Sequence, residues 1–259
     1  MQTKFSLTVE ATARAAVSDS VYLPGFVEST SDLREDFERA IEEAKQLGPP
    51  VPPAPDAQGK NIAPANGQFL GQTLTGVHLK LDGCSNYKNL YPAIAKIFGH
   101  PFMREVANAY LGIPNSLNRH LILTHDFRGS ADQILPYHFD EMRSLKFYIY
   151  VDDTAANGGP FEIIPGTHHG GSFIRMSEWH RVGKYNEIKS WVLDQYPEEY
   201  LYSIFGQFKE LLKLRSVTLD GDAGTLIIFD TDNLHCGGYF TGDRERRVIR
   251  GSSYTGLWP

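Results

Sequence analysis

From residue 119 onward the sequence changes character, and that change limits the fold more than any other feature. His120-Leu-Ile-Leu-Thr-His-Asp-Phe127, Ile134 to Asp140, Leu145 to Val151 and Phe161 to Ile164 are strand candidates in close succession. In the third of them Leu145, Phe147, Ile149 and Val151 alternate with Lys146, Tyr148 and Tyr150. That is the period-two pattern of a strand whose faces meet different surroundings. Asn157-Gly158 supplies a permissive backbone for the turn before Phe161. Strands resume at Val217-Thr-Leu219, Leu226 to Phe229 and Val248 to Tyr254, with Gly221-Asp222 as a tight turn. Residues 173 to 214 interrupt the series with helical patterns, including an apolar face of Leu201, Ile204, Phe208, Leu211 and Leu212 within Glu198 to Leu214.

The first half reads differently. A short strand in residues 17 to 28 is broken by Pro24-Gly25, and Ser31 is a good helix N-cap with Asp32 in the positive first turn. Leu33, Phe37, Ile41 and Ala44 then fall on one stripe, and Gly48-Pro49-Pro50 ends the helix. Residues 48 to 67 hold six prolines, an extended loop long enough to cover an active site. Gly76 to Leu81 reads as a strand, followed by helices over about Leu90 to Phe98 and Pro101 to Leu111, the latter with Phe102, Val106 and Ala109 on its core face. Helices first, then strands around a helical insertion, predict a mostly β, helix-backed sandwich in one domain spanning 1–259.

Composition narrows the function. A 41% hydrophobic share allows a packed core, and a net charge of -6 with no basic stripe argues against a nucleic-acid partner. Two cysteines, Cys84 and Cys236, are too few for a disulfide framework and favour a reducing compartment. The N-terminus lacks the apolar core of a signal peptide, and no apolar run approaches the roughly 20 residues that span a bilayer. The expectation is a cytoplasmic protein with no membrane partner, a monomer or homodimer acting on a small molecule.

The chemistry concentrates in Pro136-Tyr137-His138-Phe139-Asp140. On a strand, positions two apart share a face, so His138 and Asp140 point together while Phe139 turns away. One imidazole, one carboxylate and a second imidazole from elsewhere make the arrangement that leaves open positions on non-heme Fe(II). His235 is the candidate for that second imidazole, at or just past the end of the apolar run Thr225 to Phe229. His-x-Asp alone is more often a histidine hydrogen-bonded to an aspartate at a strand end. What shifts the balance is Arg246, eleven residues beyond His235 where a return strand would begin, with Cys236 to Asp243 able to turn between them.

Here the chain resembles the phytanoyl-CoA dioxygenase family of Fe(II)/2-oxoglutarate-dependent oxygenases. Asn157-Gly158-Gly-Pro-Phe-Glu-Ile-Ile-Pro165-Gly166-Thr167-His168 is similar to that family's NG…PGSH segment. Gly221-Asp222, Phe229-Asp230 and Leu234-His235 are similar to its GD…fD…lH segment, and Arg246 stands at the family's spacing after the distal histidine. Residues 21 to 41 resemble its opening, so the likeness runs from about residue 17 to 255, with 48 to 67 and 173 to 214 poorly matched.

The resemblance implies a double-stranded β-helix (jelly roll, cupin-like) with an N-terminal helical layer and a helical insertion. It implies Fe(II) held by His138, Asp140 and His235, with 2-oxoglutarate and O2 on the open positions. Arg246 would take the far carboxylate of 2-oxoglutarate as a fixed planar fork. Arg247 points the other way and is the fallback if the register slips by one. Thr124 and Gln133 are further candidates for a 2-oxoglutarate contact, as are His120 and His125, with core packing the alternative for each. The implied reaction is oxidative decarboxylation of 2-oxoglutarate to succinate and CO2 coupled to hydroxylation or desaturation of a substrate. Related halogenases lack the carboxylate that Asp140 supplies.

Plainer roles fit the remaining residues. His168 and His169 belong to a structural turn, and Cys236 is a small buried residue because it faces away from His235. Arg143 and Arg175 either lie in solvent or receive an anionic group. Trp179 and Trp191 either close over the substrate or pack the insertion. Two rivals from other classes remain: a metal-dependent hydrolase on the same three residues, with Glu141 facing the wrong way for a base, and a metal-free binding module.

Overall fold

Alternation along the strands divides the molecule into layers. The structure, a computed structural model, describes residues 8–46, 69–73, 76–81, 87–112, 121–126, 137–140, 143–171, 214–238, 240–241 and 245–254. The proline-rich 48 to 67 and the insertion at 173 to 214, Leu214 excepted, lie outside them.

The elements run α1 (Val9–Ser18), β1 (Ser20–Leu23), α2 (Ser31–Gln46), β2 (Phe69–Thr73), β3 (Gly76–Lys80), α3 (Tyr87–Leu90), α4 (Pro92–Phe98) and α5 (Pro101–Leu111). Then follow β4 (Ile122–Asp126), β5 (Ser144–Tyr150), β6 (Phe161–Ile164), β7 (Val217–Leu219), β8 (Leu226–Asp230), β9 (Leu234–Gly237) and β10 (Arg246–Tyr254). Seven strands form one sheet in the order β1-β8-β5-β10-β4-β3-β2, and three form another in the order β7-β6-β9. Every pairing between these strands is antiparallel.

One face of the larger sheet carries Leu145, Phe147, Ile149, Leu226, Ile228 and Ile249, packed with Phe37 of α2, Phe98 of α4 and Phe102 of α5. The other face carries Tyr148, Tyr150, Ile227, Phe229 and Val248, packed with Phe161 and Ile163 of β6. The two sheets therefore meet face to face, with helices outside the larger one. The stripe expected on α2 is buried in full. Helix α1 was not anticipated: its buried residues are Thr12, Ala13 and Ala16, so no large apolar stripe announces it, and Thr8 caps it by accepting from the Ala11 amide at 3.2 Å. Strand β2 was likewise not anticipated. No helix among the described residues is long and apolar enough to cross a membrane.

The tight turn between β7 and β8 depends on Gly224, whose φ is +85°. Its amide donates to Tyr150 O at 2.8 Å, and its carbonyl accepts from the Val27 amide at 3.0 Å. A Cβ there would overlap the Val27 carbonyl oxygen. Gly224→Ala combines left-handed strain with a backbone collision, so we expect a loss on the order of 3 kcal/mol, read as a lower urea midpoint. An unchanged midpoint would contradict the placement of Val27 over this turn.

Candidate metal centre

His138 and His235 are brought together by main-chain pairing. They form an isolated antiparallel bridge in which His138 N–H donates to His235 O at 3.0 Å and His235 N–H donates to His138 O at 2.9 Å. Their rings lie 4.5 Å apart, centroid to centroid. His235 lies past the end of β8, as the second residue of a further strand, β9, that the sequence reading does not separate from it. Asp140 follows two residues after His138, and its amide donates to Thr231 O at 3.1 Å. Asp140 Oδ1 stands 3.5 Å from His235 Nε2 and 3.8 Å from His138 Nε2. One donor atom from each of the three lies within 4.8 Å of the others, a grouping that no other described His, Cys, Asp or Glu residues make.

The donor set fits a cation. His235 Nδ1 lies 2.8 Å from Asn233 O, and a carbonyl can only accept, so the ring proton sits on Nδ1. Nε2 is then a bare lone pair facing the cluster. It is buried and has no hydrogen-bond partner, as suits a nitrogen that ligates a metal. Opposite sides of the site differ in access: the His235 side chain is 4% exposed, those of His138 and Asp140 17% and 20%. Phe161 and Phe229 stand against the buried ring at 5.8 and 4.9 Å.

Lys146 escaped the sequence reading. It lies on the inward face of β5 with Tyr148 and Tyr150, and its Nζ sits 2.6 Å from Asp140 Oδ2. Burial alone would raise the Asp140 carboxyl, but the Lys146 ammonium overcomes it and holds the group well below the usual carboxylate range. Asp140 is thereby kept ionised, with Oδ2 engaged by lysine and Oδ1 turned to the histidines. The available signal was a lysine at an inward position of an otherwise apolar strand.

The turn from β8 to β9 sets the second histidine. Asp230 Oδ2 accepts from Tyr110 OH at 2.7 Å and from Arg143 at 2.6 Å (Nη2) and 2.9 Å (Nε). Asp230 Oδ1 accepts from the Asp232 amide at 2.9 Å. Arg143, read as solvated or as receiving an anionic group, is instead committed to this buried pair of acids. The Pro165-Gly166-Thr167 turn has the structural part expected of it: Thr167 Oγ1 donates to Ile164 O at 2.7 Å and accepts from the Leu234 amide at 2.8 Å. His168 stacks on His169 at 4.0 Å and belongs to no metal-ligating group among the described residues.

Arg246 and Thr124 both face the space between the sheets, in register with Asp126 and Val248 on the β4–β10 ladder. Arg246 is fully buried but already paired, its Nη2 being 2.6 Å from Asp126 Oδ2. Arg247 points to the helical side and meets Glu38 at 3.1 Å and Asp152 at 3.3 Å. His125 turns the same way, 2.8 Å from Glu245. Cys236 is buried, as expected of a small residue facing away from His235. Gln133, His120, Glu141, Arg175, Trp179 and Trp191 lie outside the described residues.

The sequence matches no protein-family model and no curated protein. Solved structures share its fold. The non-heme alpha-ketoglutarate-dependent carbocyclase SnoK from nogalamycin biosynthesis aligns at a TM-score of 0.58 and 14% identity, over 96% of this chain and 84% of that one. EctD from S. alaskensis, crystallised with 2-oxoglutarate and 5-hydroxyectoine, aligns at 0.57 and 14%, over 98% and 78%. The epimerase SnoN, in complex with Fe3+, alpha ketoglutarate and nogalamycin RO, aligns at 0.52 and 13%, over 95% and 83%. At these identities the likeness is one of fold.

Proposed function

We propose that this protein is an Fe(II)- and 2-oxoglutarate-dependent oxygenase that hydroxylates a small-molecule substrate, releasing succinate and CO2. The observation that carries the reading is the bare, buried Nε2 of His235 facing Asp140 and His138. On this reading the facing sheets form a double-stranded β-helix, with His138 completing the smaller sheet through its bridge to β9.

Iron and 2-oxoglutarate, when bound, supply an oxidation of substrate by O2 coupled to loss of CO2 from the co-substrate. The chain's part is to hold and shield. His138, Asp140 and His235 present three donors on one side and leave the other side open. The Asn233 carbonyl fixes the His235 tautomer, and Lys146 fixes the Asp140 carboxylate. Phe161, Phe229 and Tyr148 make a wall that excludes water from the buried side. Arg246 is the cation for the far carboxylate of 2-oxoglutarate. The substrate enters from the exposed side of His138 and Asp140.

Adding Fe(II) and then 2-oxoglutarate without oxygen should produce a weak visible metal-to-ligand charge-transfer band. A hydrolase or binding module on the same residues would give none, and a flat spectrum would end this reading. Succinate release without a product heavier by one oxygen would favour a different outcome at the same centre. That alternative has support in fold relatives named as an epimerase and a carbocyclase.

A further inference from the structure

Arg246 reaches the interior already holding an acid. It is 2% exposed and Asp126 is 1% exposed, and the two stand opposite each other across the β4–β10 ladder. Nη2 and Nε reach Asp126 Oδ2 at 2.6 and 3.1 Å, and Nη1 donates to the Gly159 carbonyl. The Phe240 ring lies 5.5 Å from the guanidinium carbon. Of the five N–H donors that a guanidinium carries, three are used, and its charge is balanced where little water can screen a second anion.

A second observation marks the same wall as a ligand surface. Thr124 shares the inward face of β4 with Asp126 and is 4% exposed. Its Oγ1 is buried and has no hydrogen-bond partner. A hydroxyl in that position is complete only when an acceptor or donor arrives beside it. A carboxylate settling on the two remaining guanidinium N–H groups would be such a partner.

We propose that Asp126 is the residue that sets the affinity for 2-oxoglutarate, by competing with its distal carboxylate for Arg246. The proposal rests on the function assigned above. Two carboxylates then share one cation, and the resident one weakens the incoming one through like-charge repulsion. Asp126→Asn keeps an oxygen for Arg246 to donate to and removes the competing charge.

The test is anaerobic titration of the Fe(II) protein, reading the charge-transfer band. Asp126→Asn should bind 2-oxoglutarate about tenfold tighter than the wild type. Its melting temperature should also rise more on adding 2-oxoglutarate to the metal-loaded protein. Unchanged or weaker binding by Asp126→Asn would overturn the assignment. A measurement on the wild type alone tests it if the variant does not fold. Its preference for 2-oxoglutarate over 2-oxopentanoate, the same chain without the distal carboxylate, should stay below about tenfold, because the cation is already balanced. A preference of a thousandfold or more would overturn it. The failures separate cleanly: no band from any 2-oxo acid removes the oxygenase reading and the proposal with it. A band with no change in Asp126→Asn removes only the role of Asp126.

Discussion

His235→Ala is expected to abolish Fe(II) binding at micromolar metal and to cut succinate formation by at least about a thousandfold. The ring is the buried wall of the donor set, fixed on one side by the Asn233 carbonyl and on the other by Phe161 and Phe229. With it gone, two donors remain, and both belong to the solvent-facing side of the site. Truncation also leaves a small cavity between aromatic rings, at a cost of roughly 2 to 3 kcal/mol. The variant should therefore stay folded at moderate temperature, so that lost metal binding is read on a native protein. Asp140→Ala should be at least as damaging, because it leaves the Lys146 ammonium without its carboxylate beside two imidazoles, where it repels an incoming cation. Anaerobic Fe(II) titration and coupled succinate release measure both. Wild-type turnover by either variant would sink the assignment.

Much of this arrangement is legible in the sequence, and particular residues show why. The inward and outward faces of β5 follow from the alternation around Tyr148, because a strand's side chains have no third direction. Arg246 and Arg247 part to opposite faces for the same reason, and the structure places them so. His138 and Asp140 do share one side, although among the described residues 137 to 140 the pairing is a single bridge. That His235 lies within a separate strand, β9, is not legible, because the hydrophobic run ending at Phe229 hides the turn that follows. This turn is made of Asp230, Thr231, Asp232 and Asn233, all buried, and burial of four polar residues has no periodicity to read. Helix α1 was invisible for the opposite reason, being held by alanines whose small size permits close packing without a hydrophobic signature. Lys146 and Asp126 lay in plain view at inward positions, but their partners come from Asp140 and Arg246. Only the folded chain brings those partners within reach.

Asp230→Ala should be the most destabilising change outside the metal ligands, and it should reach the metal centre as well. Asp230 has no exposure to solvent, yet its carboxylate accepts from Tyr110, from two nitrogens of Arg143 and from the Asp232 amide. Its surroundings enforce those bonds: burial and the neighbouring Asp230 charge push the Tyr110 hydroxyl well above its ordinary value, so it remains a donor. Removing the acid leaves a phenol and an amide without their acceptor, and a half-buried guanidinium with only the longer contact to Asp232 at 3.5 Å. Breaking one side of a buried charge pair costs about 3 to 5 kcal/mol, and at this chain length that lowers the melting temperature by roughly 10 °C. The surface pair Arg34–Asp152 sets the contrast. Its Nη2–Oδ1 distance of 2.7 Å is as short, but the Arg34 side chain is 44% exposed, so Arg34→Ala should cost less than about 1 kcal/mol. The turn that Asp230 organises also carries Asn233, whose carbonyl sets the His235 tautomer, and Thr231, whose carbonyl receives the Asp140 amide. Loosening it should therefore weaken Fe(II) binding about 10- to 100-fold at a temperature where the variant is still folded, the range seen for lost partners of metal ligands. Restoring half of the lost stability with Arg143→Met in the same chain, as calorimetry would show, is the expected sign that the orphaned cation was the main cost. Wild-type metal affinity in Asp230→Ala would mean that the turn does not govern the site.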